Sequence, residues 1–194
     1  MSGPGPRVAR EKVTGLVLAL ACLAFSAIGL TVNEPSTVDY VDGRRGEPVS
    51  LERAEVTVGE VQVGTRLVDR GDVEGQTTGM FVAVRVSLAV PSNQRVSLNR
   101  SRLVTQTRTY DTWTNTSVAA EPGFQTTSDL VFEVDPAQID DLTLELWNGG
   151  LVEVFPQRAR IHLGITPANA DQWRRAAVGR DLEPEPYGST EALP

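Results

Sequence analysis

Cys22 and His162 are the only residues of their types in the 194-residue chain, and that bounds the chemistry on offer. A Cys–His nucleophile pair would use both, a zinc site needs several such ligands, and a disulfide needs a second cysteine. No Gly-x-Ser-x-Gly elbow presents a serine nucleophile. His162 falls out of phase with Ile161 and Leu163, which puts it with Arg158 and Arg160 on the polar face of a strand and away from any positioned nucleophile. The expectation is a protein that is not an enzyme, with no catalytic residue, no cofactor and no metal.

Three other groups of residues invite functional readings. Asp135, Asp140 and Asp141, with Asp129 and Glu133 nearby, are hard oxygen ligands of the kind calcium gathers in sets of about six to eight, but no EF-hand spacing is present and solvated surface charge explains them better. Arg70-Gly71-Asp72 lies between two strand patterns, where it reads as a plain hairpin tip before it reads as a receptor motif. Tyr110 and Trp113 lie within, and Phe124 follows, a Thr-rich stretch from Thr105 to Ser117, a composition suited to a wet aromatic recognition surface for sugars or protein loops. Core filling competes with that role, most of all for Phe124, and Trp113 sits in a loop-like setting between Thr112 and Thr114. Possible interaction residues are therefore Trp113 and Tyr110, together with Trp173 further on.

Charge narrows the partners. The formal net charge is −7, with Asp plus Glu at 25 against Lys plus Arg at 18. Phosphate neutralisation needs a basic surface, so a nucleic-acid partner is not expected.

The elements that would hold these residues follow from periodicity. No charged residue occurs from Val13 to Val32, and Arg7, Arg10 and Lys12 directly precede that run. At about 1.5 Å per helical residue the run covers roughly 30 Å, the thickness of a bilayer core. It is longer than the usual apolar region of a signal peptide, and cleavage at the nearest candidate site, Ala24-Phe25-Ser26, would leave an apolar new terminus, so it reads as a retained span. The basic residues before it place the N-terminus in the cytoplasm and the remainder outside, as a single-pass protein whose first partner is the membrane bilayer. Absence of cysteine after the span implies a fold independent of disulfides.

Residues 33–48, with Pro35, Gly43, Gly46 and Pro48, read as a linker. Beyond them alternation takes over. Met80, Val82, Val84, Val86, Leu88 and Val90 face one way, and the same period recurs at Val56 and Val58, at Val61, Val63 and Leu67, at Leu130, Phe132 and Val134, at Leu142, Leu144 and Leu146, and at Ala159, Ile161, Leu163 and Ile165. A Thr-rich strand is expected from Ser101 to Tyr110. Turn residues separate these runs, so residues 49–166 are expected to form an all-β, immunoglobulin-like antiparallel β-sandwich. The Cys-Trp-Cys core of antibody domains is absent. A short helix is expected over 167–180, capped by Thr166, ended by Gly179, with an Asp171–Arg175 pair and with Trp173 and Ala177 on its apolar face. That face either docks on the sandwich edge or meets a partner. Residues 181–194 read as a disordered tail.

The strand succession resembles a known family. Gly79-Met80-Phe81-Val82-Ala83-Val84-Arg85-Val86 is similar to its central strand, Ser101-Arg102-Leu103-Val104 with Tyr110 to the next, and Glu121-Pro122-Gly123 leading to Leu130-Val131-Phe132-Glu133-Val134 to its Pro-Gly loop and following strand. The family is the telokin-like, immunoprotective-extracellular-protein type of β-sandwich, and the likeness covers roughly residues 49 to 166. It implies a secreted or membrane-anchored extracytoplasmic domain of Gram-positive bacteria, actinobacteria above all, with no catalytic residues to carry over. Together these features lead to the expectation of a membrane-anchored binding module that engages an envelope or membrane protein. The alternative is a stand-alone domain that holds a glycan or small ligand.

Overall fold

A computed structural model describes residues 38–113, 117–149, 157–185 and 187–194. The expected membrane span and the cytoplasmic tail before it lie outside them, and among the described residues no helix is long and apolar enough to cross a membrane.

Alternation builds two sheets. In the first, β1 (Asp39–Arg44), β6 (Arg100–Val104), β7 (Thr109–Asp111), β10 (Thr143–Trp147) and β11 (Gln157–His162) lie in the order β1-β11-β10-β6-β7. In the second, β3 (Glu55–Asp69), β4 (Asp72–Ala89), β9 (Phe124–Val134), β12 (Asp181–Leu182) and β13 (Ser189–Ala192) lie in the order β12-β3-β4-β9-β13, and β2 (Pro48–Ser50) also pairs with β3. A separate two-stranded ribbon joins β5 (Val96–Leu98) to β8 (Val118–Ala120).

The inner faces meet through side chains spaced two apart. Val82, Val84, Val86 and Leu88 of β4 and Leu130 and Phe132 of β9 share one cluster with Leu103, Leu144, Leu146 and Ile161 of the opposite sheet, all of them buried. Each such aliphatic side chain contributes about 1.5–3 kcal/mol on burial, so this cluster is the main source of stability. A smaller cluster lies on the other side of the second sheet, where Leu67, Phe81, Ala83 and Val131 are covered by Leu182.

Several expectations need correction. The described residues of the supposed linker are part of the fold: β1 runs parallel to β11 from Asp39↔Gln157 to Arg44↔His162, and β2 pairs with β3. Its backbone is held by an edge, so little apolar patterning is required, and Gly43 lets Val49 pack where a Cβ would stand. Residues 181–194 are likewise not a disordered tail. Their strands β12 and β13 pair with β3 and β9 at opposite edges of the second sheet, and only Leu182 of these residues carries an apolar side chain deep into the structure. The sandwich is thus antiparallel with two parallel edge pairs, β1 with β11 and β12 with β3.

The two strands expected around Val58 and Val61 are one. The register passes from Val58↔Val86 to Val61↔Val84, so a bulge inserts one residue at Gly59-Glu60 and resets the alternation. The single strand expected from Ser101 to Tyr110 is instead the β6–β7 hairpin, in which Arg102 pairs with Asp111 and Val104 with Thr109. The helix, α1 (Ala170–Ala177), is shorter than expected, because Thr166 to Asn169 form a turn in which the Thr166 N–H donates to Asn169 Oδ1 at 2.8 Å. Asn169 rather than Thr166 occupies the N-cap, and Arg174 rather than Arg175 pairs with Asp171, at 2.6 Å. Gly179, at φ 68°, does end it. The helix packs against β3 and β4.

Candidate functional site

Among the described residues, Arg102, Arg158 and Arg160 stack on aromatic rings at the outer face of the five-stranded sheet. On β10 the residues opposite Leu144 and Leu146 are Thr143, Glu145 and Trp147; on β11 those opposite Ala159 and Ile161 are Arg158, Arg160 and His162. The register sets Asp42 beside Arg160, Arg160 beside Glu145, Glu145 beside Arg102, and Arg102 beside Asp111. One row across all five strands therefore alternates in charge.

Glu145 anchors this row. Its residue is 3% exposed, its Oε2 accepts from Arg102 Nε at 2.8 Å, and its Oε1 stands 3.4 Å from Arg160 Nε. A buried carboxylate would be strongly penalised without such partners. Arg160 reaches on to Asp42 at 3.9 Å and lies 3.6 Å from the centre of the Tyr40 ring. The Trp147 ring takes Arg158 at 4.7 Å and Arg102 at 5.2 Å from its centre. A guanidinium group stacked on an aromatic ring is held at a fixed orientation, and a fixed planar fork suits recognition of carboxylates.

A hollow of about 390 Å³ opens on the same face, bounded among others by Thr143, Glu145, Arg160, His162 and Gln106. Thr143 Oγ1 and His162 Nδ1 lie 3.1 Å apart at its floor. His162 is on the polar face of its strand, as its phase requires, and is exposed.

The opposite outer face, on the second sheet, has another character. Residues after β12 cross it from the β3 edge to the β9 edge. Arg66 clamps the start of this strap through two bonds to Asp181 at 2.6 and 2.8 Å. Arg85 holds Asp129 by two bonds at 2.9 Å, and Glu185 stands 4.0 Å from Arg85. The hydrogen bond and charge of Asp129 hold the Arg85 guanidinium above its ordinary range. Gly64 and Gly188 let the strap approach: a Cβ on Gly64 would stand 2.6 Å from the Arg180 carbonyl, and one on Gly188 would strike the Thr127 carbonyl.

The residues expected to form an interaction surface are not assembled into one. Trp113 is 48% exposed and sits edge-on to Phe81, with centroids 5.2 Å apart, over the second sheet's outer cluster. Tyr110 points the other way, into the main core, with its hydroxyl 3.4 Å from the Gln138 carbonyl, and burial raises its pKa. Trp173 packs its ring against the main cluster. Phe124, expected in the core, is 41% exposed where β9 begins beside Ala192.

Asp135 caps a single 3-10 turn by accepting from the Ala137 N–H at 2.9 Å, and Asp140 pairs with Arg174 at 3.4 Å. Arg70 and Gly71 do form a plain hairpin tip between Asp69 and Asp72. Tyr40, Arg102, Glu145 and Trp147 were missed as a group. Their alternation with core residues marks each as outward-facing, but only strand order makes them neighbours.

No protein-family model and no curated sequence matches the chain. Among solved structures it is similar to the yjhA protein from Bacillus subtilis, with 12% identity, a TM-score of 0.49, and coverage of 62% of this chain and 99% of that one. It is also similar to an uncharacterized β-sandwich protein from Clostridium difficile 630, with 10% identity, a TM-score of 0.42, and coverage of 66% and 99%. The class is defined by the chain's own two sheets and the core between them: a β-sandwich.

Proposed function

We propose that this protein is a non-enzymatic, membrane-anchored interaction module of the bacterial cell envelope, and that the outer face of its five-stranded sheet is the binding surface. The observation that carries this is the Arg102–Trp147–Arg158 stack beside the Asp42–Arg160–Glu145–Arg102 row. Trp, Tyr and Arg are the residues that dominate binding energy at protein interfaces, and here they are ordered before any partner arrives.

An immunoglobulin-like assignment of the telokin-like type is supported by the way β4 and β9 neighbour each other in one sheet and β6 and β10 in the other, with the chain crossing between sheets from β4 to β6 and from β9 to β10. The uncharged run from Val13 to Val32 supports the anchor, with the N-terminus cytoplasmic and the sandwich outside. The partner is an envelope or membrane protein that presents carboxylates.

The hollow of about 390 Å³ favours a second reading, a glycan or small-ligand site, because its size and hydroxyl lining fall in the range of ligand pockets. Two measurements test the assignment. Fractionation and protease shaving of whole cells should find the full chain in the membrane with the sandwich accessible from outside; recovery from the cytosol would sink the anchored reading. Cross-linking in native membranes should give stoichiometric products that Arg44→Glu/Arg100→Glu removes, whereas saturable glycan binding unaffected by that pair would favour the second reading.

A further inference from the structure

We infer, building on that binding reading, that the partner of the arginine-rich face is the acidic outer face of a second copy of this chain. The two outer faces of a sandwich point in opposite directions, and here they differ in charge. On the first, Arg44, Arg100, Arg102, Arg158 and Arg160 stand against Asp42, Asp111, Asp141 and Glu145, a small positive excess although the whole chain is at −7. On the second, Arg66 and Arg85 are engaged by Asp181 and Asp129, and Glu60, Glu133, Glu183, Glu185 and Glu191 are exposed as well, with Glu185 near Arg85, Glu133 accepting from Thr77 and Glu191 from Gln125.

Aromatic exposure matches the charge. Tyr187, in the strap, is 96% exposed, and Trp113 is half exposed on the same side. A face that offers carboxylates and aromatic rings is the complement of one that offers guanidinium groups, through ion pairs and cation–π contacts. Complementary potentials steer association and fix its orientation.

The contact is heterologous, because different patches of the two copies meet, so it propagates rather than closing into a dimer. A shift perpendicular to the sheets relates neighbouring copies and leaves the start of every β1 at the same end of its sandwich.

The test uses the full chain in neutral detergent micelles, followed by sedimentation at low and high salt. The expected result is concentration-dependent association beyond the dimer at low ionic strength, which vanishes at about 0.5 M salt as screening shortens the reach of charge. Arg44→Glu/Arg100→Glu and, separately, Glu60→Lys/Glu183→Lys should each weaken it at least tenfold. Mixing these two double variants should restore association at least to a one-to-one pair, since each supplies the face the other has lost. All four side chains are exposed, and an unchanged circular-dichroism spectrum checks the fold of each variant.

A chain that stays single at every concentration in low salt overturns the inference, as does association indifferent to Glu60→Lys/Glu183→Lys, which would assign it to the span. If the chain stays single but Arg44→Glu/Arg100→Glu removes cross-linked envelope proteins, self-association falls and the binding reading stands. If that pair changes nothing in either assay, both fall.

Discussion

Asp129 and Glu185 exchange two hydrogen bonds: the Asp129 N–H donates to the Glu185 carbonyl at 3.0 Å, and the Glu185 N–H donates to Asp129 Oδ2 at 3.0 Å. Because the same carboxylate also receives Arg85, a single side chain ties β4, β9 and the strap together. The chain's last residues are thereby fixed across the second sheet, and the acidic, aromatic surface they present is a built part of the molecule.

Asp129→Ala should release the strap. It leaves the Glu185 N–H and the partly exposed Arg85 without their acceptor, an expected cost of about 2–3 kcal/mol once solvent screening of Arg85 is allowed for. Hydrogen exchange should show faster exchange over 181–192 with β6 and β10 still protected. Uniform loss of protection, or none, would contradict a local tie.

Arg70→Asn should stabilise the domain by about 0.5–1 kcal/mol. Arg70 is held at φ 50° and Gly71 at φ 91°, the paired left-handed geometry of a tight hairpin turn, where Asn-Gly is preferred and a bulky side chain is strained. A higher thermal midpoint checks this. An unchanged or lower one would show that the Arg70 side chain offsets its backbone strain.

Alkaline pH should destabilise the fold partly through Tyr110. Burial raises its pKa above 10.0, so the folded state holds the phenolic proton more tightly than the unfolded chain does. That contribution is complete below the unfolded value and is lost as pH rises through the folded one. Urea midpoints of wild type and Tyr110→Phe should therefore keep a constant offset near pH 8, with the wild type losing ground to the variant above pH ~10. Parallel curves through that range would exclude Tyr110 as a contributor.

The strands that carry the core were legible because a residue buried on one side of a sheet enforces alternation, as Met80 to Val90 shows without ambiguity. The hairpin tip at Arg70-Gly71 and the helix stop at Gly179 were legible for a local reason too, since backbone conformation there selects the residue. The edge strands were not. Asp39–Arg44 and Ser189–Ala192 owe their structure to the backbone groups of β11 and β9, and hydrogen bonding to a neighbour imposes little on side-chain type. The bulge at Gly59-Glu60 hid for a related reason, since one inserted residue made a continuous strand look like two.

By itself the sequence determined the class: an all-β domain with a single Cys and a single His, after an uncharged run from Val13 to Val32. It also determined which way Glu145, Trp147, Arg158 and Arg160 point, since each alternates with a core residue. Only the tertiary structure decided that they touch. Strand order is set by contacts between residues far apart in the chain, and periodicity within one strand holds no information about its neighbour. The separation of charge onto two opposite faces is likewise a property of how the sheets stack and where the strap crosses.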